Sequence, residues 1–234
     1  MSGREINGFK MFGAPPPGSF DPKAFIAQWK IGNREEEKVY GPVYAARMIQ
    51  YALQYLAKRT GEKPPEDIRT FAQLADHALS KIGECQTAYC ALTYAQCKTE
   101  KELQGQIGAA KRINNISWQR QTLKPKNGEE RNIDLSGIVS NFRQAAIAMK
   151  LCPAELGYRA NEDGSLDVLL PNCFYKDACR ELFKEDLLTG PGGKMICNLG
   201  IPISVYLRAT TGYEWDYQCL EYDKPNCTIR QRMV

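Results

Sequence analysis

The hydrophobic positions fall into two regimes, helical in the first half of the chain and mixed in the second. From Pro42 to about Arg59 one stripe runs through Ala45, Ile49, Ala52, Leu53 and Leu56. Tyr44, Met48, Tyr51 and Tyr55 make a second apolar face on the same turns. A helix apolar on two faces is buried between neighbours. Gly61 and the Pro64-Pro65 pair stop it. The next stripe, Ile68, Phe71, Ala72, Ala75, Ala78, Leu79 and Ile82, predicts a helix from about Pro65 to Ile82. Gly83 breaks that pattern, and a segment with Cys85, Cys90 and Cys97 follows. Thr99-Glu100-Lys101-Glu102 has the form of a capping box and predicts a new helix to about Trp118. Upstream, Gly13, Pro15, Pro16, Pro17 and Gly18 make residues 1 to 20 an extended arm. Ser19 or Asp21 caps a short helix with Phe25, Ile26 and Trp29, which Gly32 and Asn33 end.

After the polar loop 121–133 the pattern changes. Asp134 caps a helix with Leu135, Ile138, Val139, Phe142, Ala146 and Met149 on one face. Strands over 155–160 and 165–170 flank the turn Asn161-Glu162-Asp163-Gly164 and form a hairpin. A helix over 175–188 carries Ala178, Leu182, Phe183 and Leu187. The glycine-rich TGPGGK that follows lacks the spacing of a phosphate loop. A helix over 196–211 must hold Pro202 in its first turns. Strands over 213–219 and 226–232 make a second hairpin. The predicted class is α+β: a helical N-terminal half, then an antiparallel sheet of two hairpins separated by two helices. The corresponding units are an arm with a short helix (1–33), a helical region (34–120) and a C-terminal domain (134–234).

Composition narrows the function classes. The 234 residues suffice for a real core. No segment approaches the ~18 apolar residues of a membrane span. The start lacks the apolar run of a secretory signal, so the expected location is the cytoplasm. A net charge of +4, with no basic stripe beyond Arg230 and Arg232, argues against nucleic acid as a partner. Nine cysteines in a reducing compartment point to metal ligands or buried thiols rather than disulfides. The single histidine, His77, lies off its helix stripe and reads as a surface residue. That excludes histidine-rich metal sites and most histidine-dependent hydrolase chemistry.

The cysteines divide by geometry. On one helix Cys85 and Cys97 stand about 18 Å apart, too far to share a metal. Cys85, Cys90 and Cys97 therefore read as small buried hydrophobes. Cys197, Cys219 and Cys227 instead sit at a helix start, a strand end and the next strand start. Thiols so placed can converge on a structural metal, and Glu214 and Asp216 lie just before the middle one. Three thiolates with a carboxylate suit zinc, and four thiolates suit zinc or an iron–sulfur cluster. Cys173 and Cys179 flank a helix N-terminus, where a thiol can be activated, which keeps an enzyme reading open. Asp177 and Glu181, four apart on that helix, read as a solvated face. No Ser-His-Asp arrangement or nucleotide fingerprint is present.

The hairpin GYRANEDGSLDVLLPNCFY, Cys197 with Gly200 close behind, the Thr211-Gly212 helix end and Cys219-LEYDKPN-Cys227 form a pattern. On these residues, 134–231 resembles the 4-vinyl-reductase, or hydrocarbon-binding, domain family. The resemblance implies an α+β domain with an antiparallel sheet, often a homodimer through its helices; a subunit of a larger protein complex is the other expected state. It implies a cavity between helices and sheet for a hydrophobic or aromatic small molecule. Its lining here would be drawn from Phe142, Met149, Phe174, Tyr175, Phe183, Tyr206 and Trp215. It also implies zinc held by Cys197, Cys219, Cys227 and a carboxylate. That carboxylate is Glu214 or Asp216, with Asp216 at the better offset from Cys219; Cys173 or Cys179 is the alternative fourth ligand. An iron–sulfur cluster is the alternative cofactor. The expected function is a metal-containing small-molecule-binding protein acting as sensor or accessory subunit. An enzyme or accessory subunit reducing or hydrolysing a small cyclic compound is the second reading. An assembly subunit of a larger complex is the third.

Overall fold

The computed structural model describes residues 4–81, 85–104, 133–152, 155–173, 175–186, 197, 199–221 and 226–234. Within them the α+β class is realised, with helices first and an antiparallel sheet after them. The arm is the first departure from expectation. Glu5–Ile6 (β1) and Phe9–Met11 (β2) form a hairpin around Asn7 (φ 50°) and Gly8 (φ 78°). Two successive positive φ values are what a type I′ turn needs, and Asn-Gly supplies them at least cost. Residues 5–11 are therefore sheet, not an extended arm.

Helix α1, Pro22–Tyr40, starts where expected: the Asp21 carboxylate accepts from the Lys23 N–H at 2.9 Å. It does not stop at Gly32. A glycine inside a helix costs only about 1 kcal/mol relative to alanine, and buried Asn33 is accommodated by donating from Nδ2 to the Trp29 carbonyl at 3.0 Å. Gly41, at φ 79°, ends α1 and opens α2, Pro42–Thr60. Both apolar faces of α2 are buried, as its two stripes require.

Helix α3, Phe71–Lys81, begins six residues later than predicted. Thr70 and Gln73 form the capping box that sets this start: Thr70 Oγ1 accepts from the Gln73 N–H at 3.2 Å, and Gln73 Oε1 from the Thr70 N–H at 3.0 Å. The box expected at Thr99–Glu102 is not a helix start. Helix α4, Cys85–Gln104, runs straight through it, with Thr99 fully buried and Glu102 bonded to Tyr51 on α2. The predicted continuation to Trp118 lies outside the described residues.

The C-terminal elements match their predicted order. They are α5 (Leu135–Ala148, capped by Asp134), β3 (Gly157–Ala160), β4 (Leu166–Pro171), α6 (Lys176–Lys184), α7 (Gly200–Thr211), β5 (Trp215–Glu221) and β6 (Asn226–Met233). The sheet order is β1-β2-β3-β4-β6-β5, antiparallel throughout. The two predicted hairpins are joined edge to edge by β4 and β6, and the N-terminal hairpin extends the sheet beyond β3. One sheet face, with Tyr158, Val168, Leu170, Tyr217, Cys227 and Ile229, joins the helices in a single core. On the opposite face Phe9, Met11 and Leu169 form a small cluster of their own. A Cβ on Gly157 would stand 2.4 Å from the Met11 sulfur, so a larger residue there would displace the flexible end of the Met11 side chain. No described helix is long and apolar enough to cross a membrane.

Candidate metal centre

The site is built where α6 and α7 begin against the ends of β5 and β6. Along β5, Trp215 and Tyr217 are buried and Cys219 half-buried, while Asp216, Gln218 and Leu220 face outward. This is the two-residue alternation of a strand. Cys219 pairs with Ile229 and Leu170 with Cys227, so both strand thiols lie on the helix-covered face. A register shift between Cys219 and Glu221 follows.

Cys197 precedes α7 by three residues. Its N–H donates to the Tyr217 hydroxyl at 3.1 Å, and its Sγ accepts from the Gly200 N–H at 3.2 Å. Gly200 is required there. A Cβ on it would lie 2.7 Å from Cδ2 of the Tyr217 ring. The first turn of α7 is fixed to β6 by buried polar groups. Gln231, fully buried, donates from Nε2 to the Gly200 carbonyl at 3.0 Å and accepts from the Ser204 hydroxyl at 2.6 Å. At the other end Trp215 Nε1 donates to Thr211 Oγ1 at 2.9 Å, and Gly212 closes the helix at φ 80°.

Four thiols meet here as two pairs. Cys173 shares a hydrogen bond with Cys227, and Cys197 shares one with Cys219. Each pair joins a cysteine at a helix start to a cysteine on a strand. Cys227 holds the Cys173 thiol below its ordinary range, aided by the Tyr175 N–H against the opposing effect of burial. Cys219 does the same for Cys197, helped by the N–H groups of Gly200 and Leu199. The strand partners Cys219 and Cys227 are pushed up, first by sharing that proton and then by burial. In each pair, then, the helix-start thiol is the more acidic of the two. Backbone N–H groups favour negative charge there. The two pairs are near enough for each to feel the other's charge. Among the described residues, no three or more His, Cys, Asp or Glu side chains gather into one group fit for a metal ion.

The carboxylates expected at the site do not reach it. Asp216 lies on the outward face of β5, opposite Cys219, because an offset of three residues reverses the face of a strand. Glu214 precedes the strand, half exposed, in an ion pair with Arg208 at 2.7 Å. Cys179 is held protonated, first by burial and then by the thiols of Cys197, Cys173, Cys97 and Cys90 around it. Cys90 and Cys97 are buried, as expected of small hydrophobes, but α4 packs on α6 and brings both beside Cys179. Burial pushes Cys90 up to about 11. The sequence offered no sign of that approach.

The apolar cleft lies next door, between α5, α7 and the sheet. Phe142 and Tyr206 line it, with ring centroids 5.3 Å apart, beside Ile138, Leu156, Ile203 and Leu207. Among the other residues expected to line it, Met149 and Phe183 face solvent, Trp215 is core, and Tyr175 precedes α6 near the thiols. Phe174 lies outside the described residues. The cleft gives the centre of a water-sized sphere about 10 Å³, the room of a single water. The chain matches no family model, no curated protein and no solved structure.

Proposed function

We propose that this chain is a metal-containing protein that binds a hydrophobic or aromatic small molecule and acts as a sensor or accessory subunit. The observation that carries this reading is the double duty of α7. Its first turn is fixed to the thiol pairs through Gly200. One and two turns later, Ile203, Tyr206 and Leu207 form one wall of the apolar cleft. A metal on Cys173, Cys197, Cys219 and Cys227 would hold the start of α7. A ligand entering the closed cleft must shift the same helix. The donor set of four thiolates suits zinc or an iron–sulfur centre. The set of three cysteines and a carboxylate does not fit, since Asp216 and Glu214 stand elsewhere. The order of elements from α5 to β6 is the one expected of a hydrocarbon-binding domain, and the ligand class is proposed on that likeness and on the apolar lining.

The test is metal analysis of the full chain with native mass spectrometry, which also reads a homodimer or fixed partner. Bound metal lost in Cys197→Ser and Cys227→Ser is expected. Phenol and naphthalene should raise the melting temperature of the native chain, and Phe142→Ala should abolish that rise. Full metal content in both cysteine variants refutes the centre, and no response to either compound refutes the ligand class.

A further inference from the structure

We propose that Arg143 is a carboxylate-binding residue, and that the molecule taken into the neighbouring cleft is an aromatic acid held by its carboxylate. The inference rests on the small-molecule reading above and names the ligand's chemical class. What carries it is a buried cation without an anion. Arg143 lies on α5 with 8% of its surface exposed. Its Nε is buried and has no hydrogen-bond partner. Its Nη2 donates to the carbonyls of Gly13 and Ala14 at 3.3 and 3.5 Å, long against the usual value of about 2.9 Å. Its guanidinium lies 5.4 Å from the centroid of the Phe12 ring. Arg159, Arg208 and Arg230 each meet a carboxylate. Arg143 meets none among the described residues. A buried charge is costly unless it is paired and hydrogen-bonded. Two long carbonyl bonds and one bare N–H do not meet that need. A carboxylate accepting from Nε and Nη2 together does.

The position of Arg143 ties it to the cleft. Val139, one turn earlier on α5, and Phe142, the residue before, both line the cleft. Four residues of helix rise about 6 Å, a span that an aromatic ring and its carboxylate can bridge. Leu156 lines the cleft too, and its carbonyl accepts from the Phe12 N–H at 3.0 Å. The ring beside the guanidinium is thus anchored to the cleft's own wall, and it stacks in turn on Tyr158 at 5.2 Å. The carbonyls now on Arg143 belong to the stretch 13–18. That stretch is tied at one end by Phe12 and at the other by the Ser19 carbonyl, which accepts from the Cys152 N–H at 3.0 Å. Gly13 (φ 73°) and Gly18 (φ 80°) bound it, with open space around both. The two carbonyls can therefore give way to a ligand's oxygens while Phe12 and Ser19 stay anchored.

The experiment measures binding of 2-naphthoate and 2-naphthol to the full chain by calorimetry and by melting temperature, at pH 7 and one ionic strength. The two compounds share a ring system and differ in charge. Naphthoate should bind at least tenfold more tightly and raise the melting temperature more. Arg143→Met removes the cation and should erase that preference. Without ligand it should melt no lower than the native chain, because an unpaired buried charge is gone. Arg143→Lys keeps the charge but loses the two-pronged donor set, and should bind naphthoate at least tenfold more weakly. Arg34→Gln, at an exposed position on α1, should change nothing. Equal binding of the two compounds by the native chain, or a naphthoate preference that survives in Arg143→Met, overturns the inference and leaves the small-molecule reading standing. Should Arg143→Met melt lower or fail to fold, Arg143→Lys decides, and native affinity there overturns the inference. Binding of neither compound overturns both.

Discussion

Asp167 is the point on the sheet where one substitution should be felt most clearly. It lies in the middle strand β4, fully buried, between Arg159 on β3 and Arg230 on β6. Arg230 donates from Nε at 2.6 Å and from Nη2 at 2.8 Å, and Arg159 from Nη2 at 2.7 Å. Burial alone would push this carboxyl up, but the bonds from Arg230, Arg159 and Asn161 outweigh it and bring it from 3.8 down to about 2. At about 1.4 kcal/mol per tenfold change in acidity, that drop corresponds to roughly 2.5 kcal/mol of stability. The folded-state value is the lower one. The contribution is therefore complete above the unfolded value near 4 and is lost as pH falls through about 2. Asp167→Asn keeps the shape and removes the charge. Both arginines reach solvent, with side chains 39% and 24% exposed. They can hydrate, and the loss at pH 7 should stay near 2.5 kcal/mol rather than the 3–5 kcal/mol of a sealed pair. Urea denaturation of both proteins at pH 7 and at steps from pH 5 to 2 measures it. Other carboxylates titrate in both proteins and cancel in the difference. The gap should close as pH falls from about 4 to 2. Equal stability at pH 7, or a gap that does not narrow in acid, refutes the reasoning.

Two further substitutions test the elements around the thiols. Gly200→Ala places a methyl carbon 2.7 Å from the Tyr217 ring. It should cost about 1–3 kcal/mol by overpacking and lower metal content, because Cys197 bonds to that same tyrosine; denaturation and metal analysis of one sample read both. Asp134→Ala removes the carboxylate that accepts from the Gly137 N–H at 2.9 Å and should cost about 0.5–2 kcal/mol, with metal content unchanged.

The second half of the chain was more legible than the first, for physical reasons. Strand alternation, the Asn161–Gly164 turn and the Asp134 cap are local signals, and each acts locally in the structure. The N-terminal hairpin carried an equally local signal in Asn7-Gly8. It was hidden because the strands beside it are only two and three residues long and pair with β3 about 150 positions away. Thr99–Glu102 and Thr70–Gln73 show the limit of a motif alone. Both have capping-box spacing, but an N-cap needs a chain that is not already helical. The turns from Cys90 through Tyr94 to Cys97 carry the helix into Thr99. Proximity between elements left no local trace at all. The approach of α4 to α6 sets Cys90 and Cys97 beside Cys179, although reach along one helix had separated the first group of cysteines from the last.

The choice of Cys173 over a carboxylate shows why offset along a chain must be read with the local period. Three residues bring side chains together on a helix and send them to opposite faces on a strand. Asp216 fails at Cys219 for that reason. Cys173 succeeds because β4 and β6 are in register, Leu170 opposite Cys227, and the chain turns at Asn172, with φ 50°, immediately after β4 ends. That turn delivers Cys173 to Cys227 just as the loop before α7 delivers Cys197 to Cys219. The two thiol pairs are thus built alike, each from one helix start and one strand. Anything that separates α7 from the sheet must draw Cys197 away from Cys219 while Cys173 and Cys227 stay together on β4, β6 and α6. A ligand wedging α7 outward from the cleft would therefore act on one pair and spare the other. Under the proposed function, such asymmetry would give a binding event in the cleft a direct mechanical route to the metal.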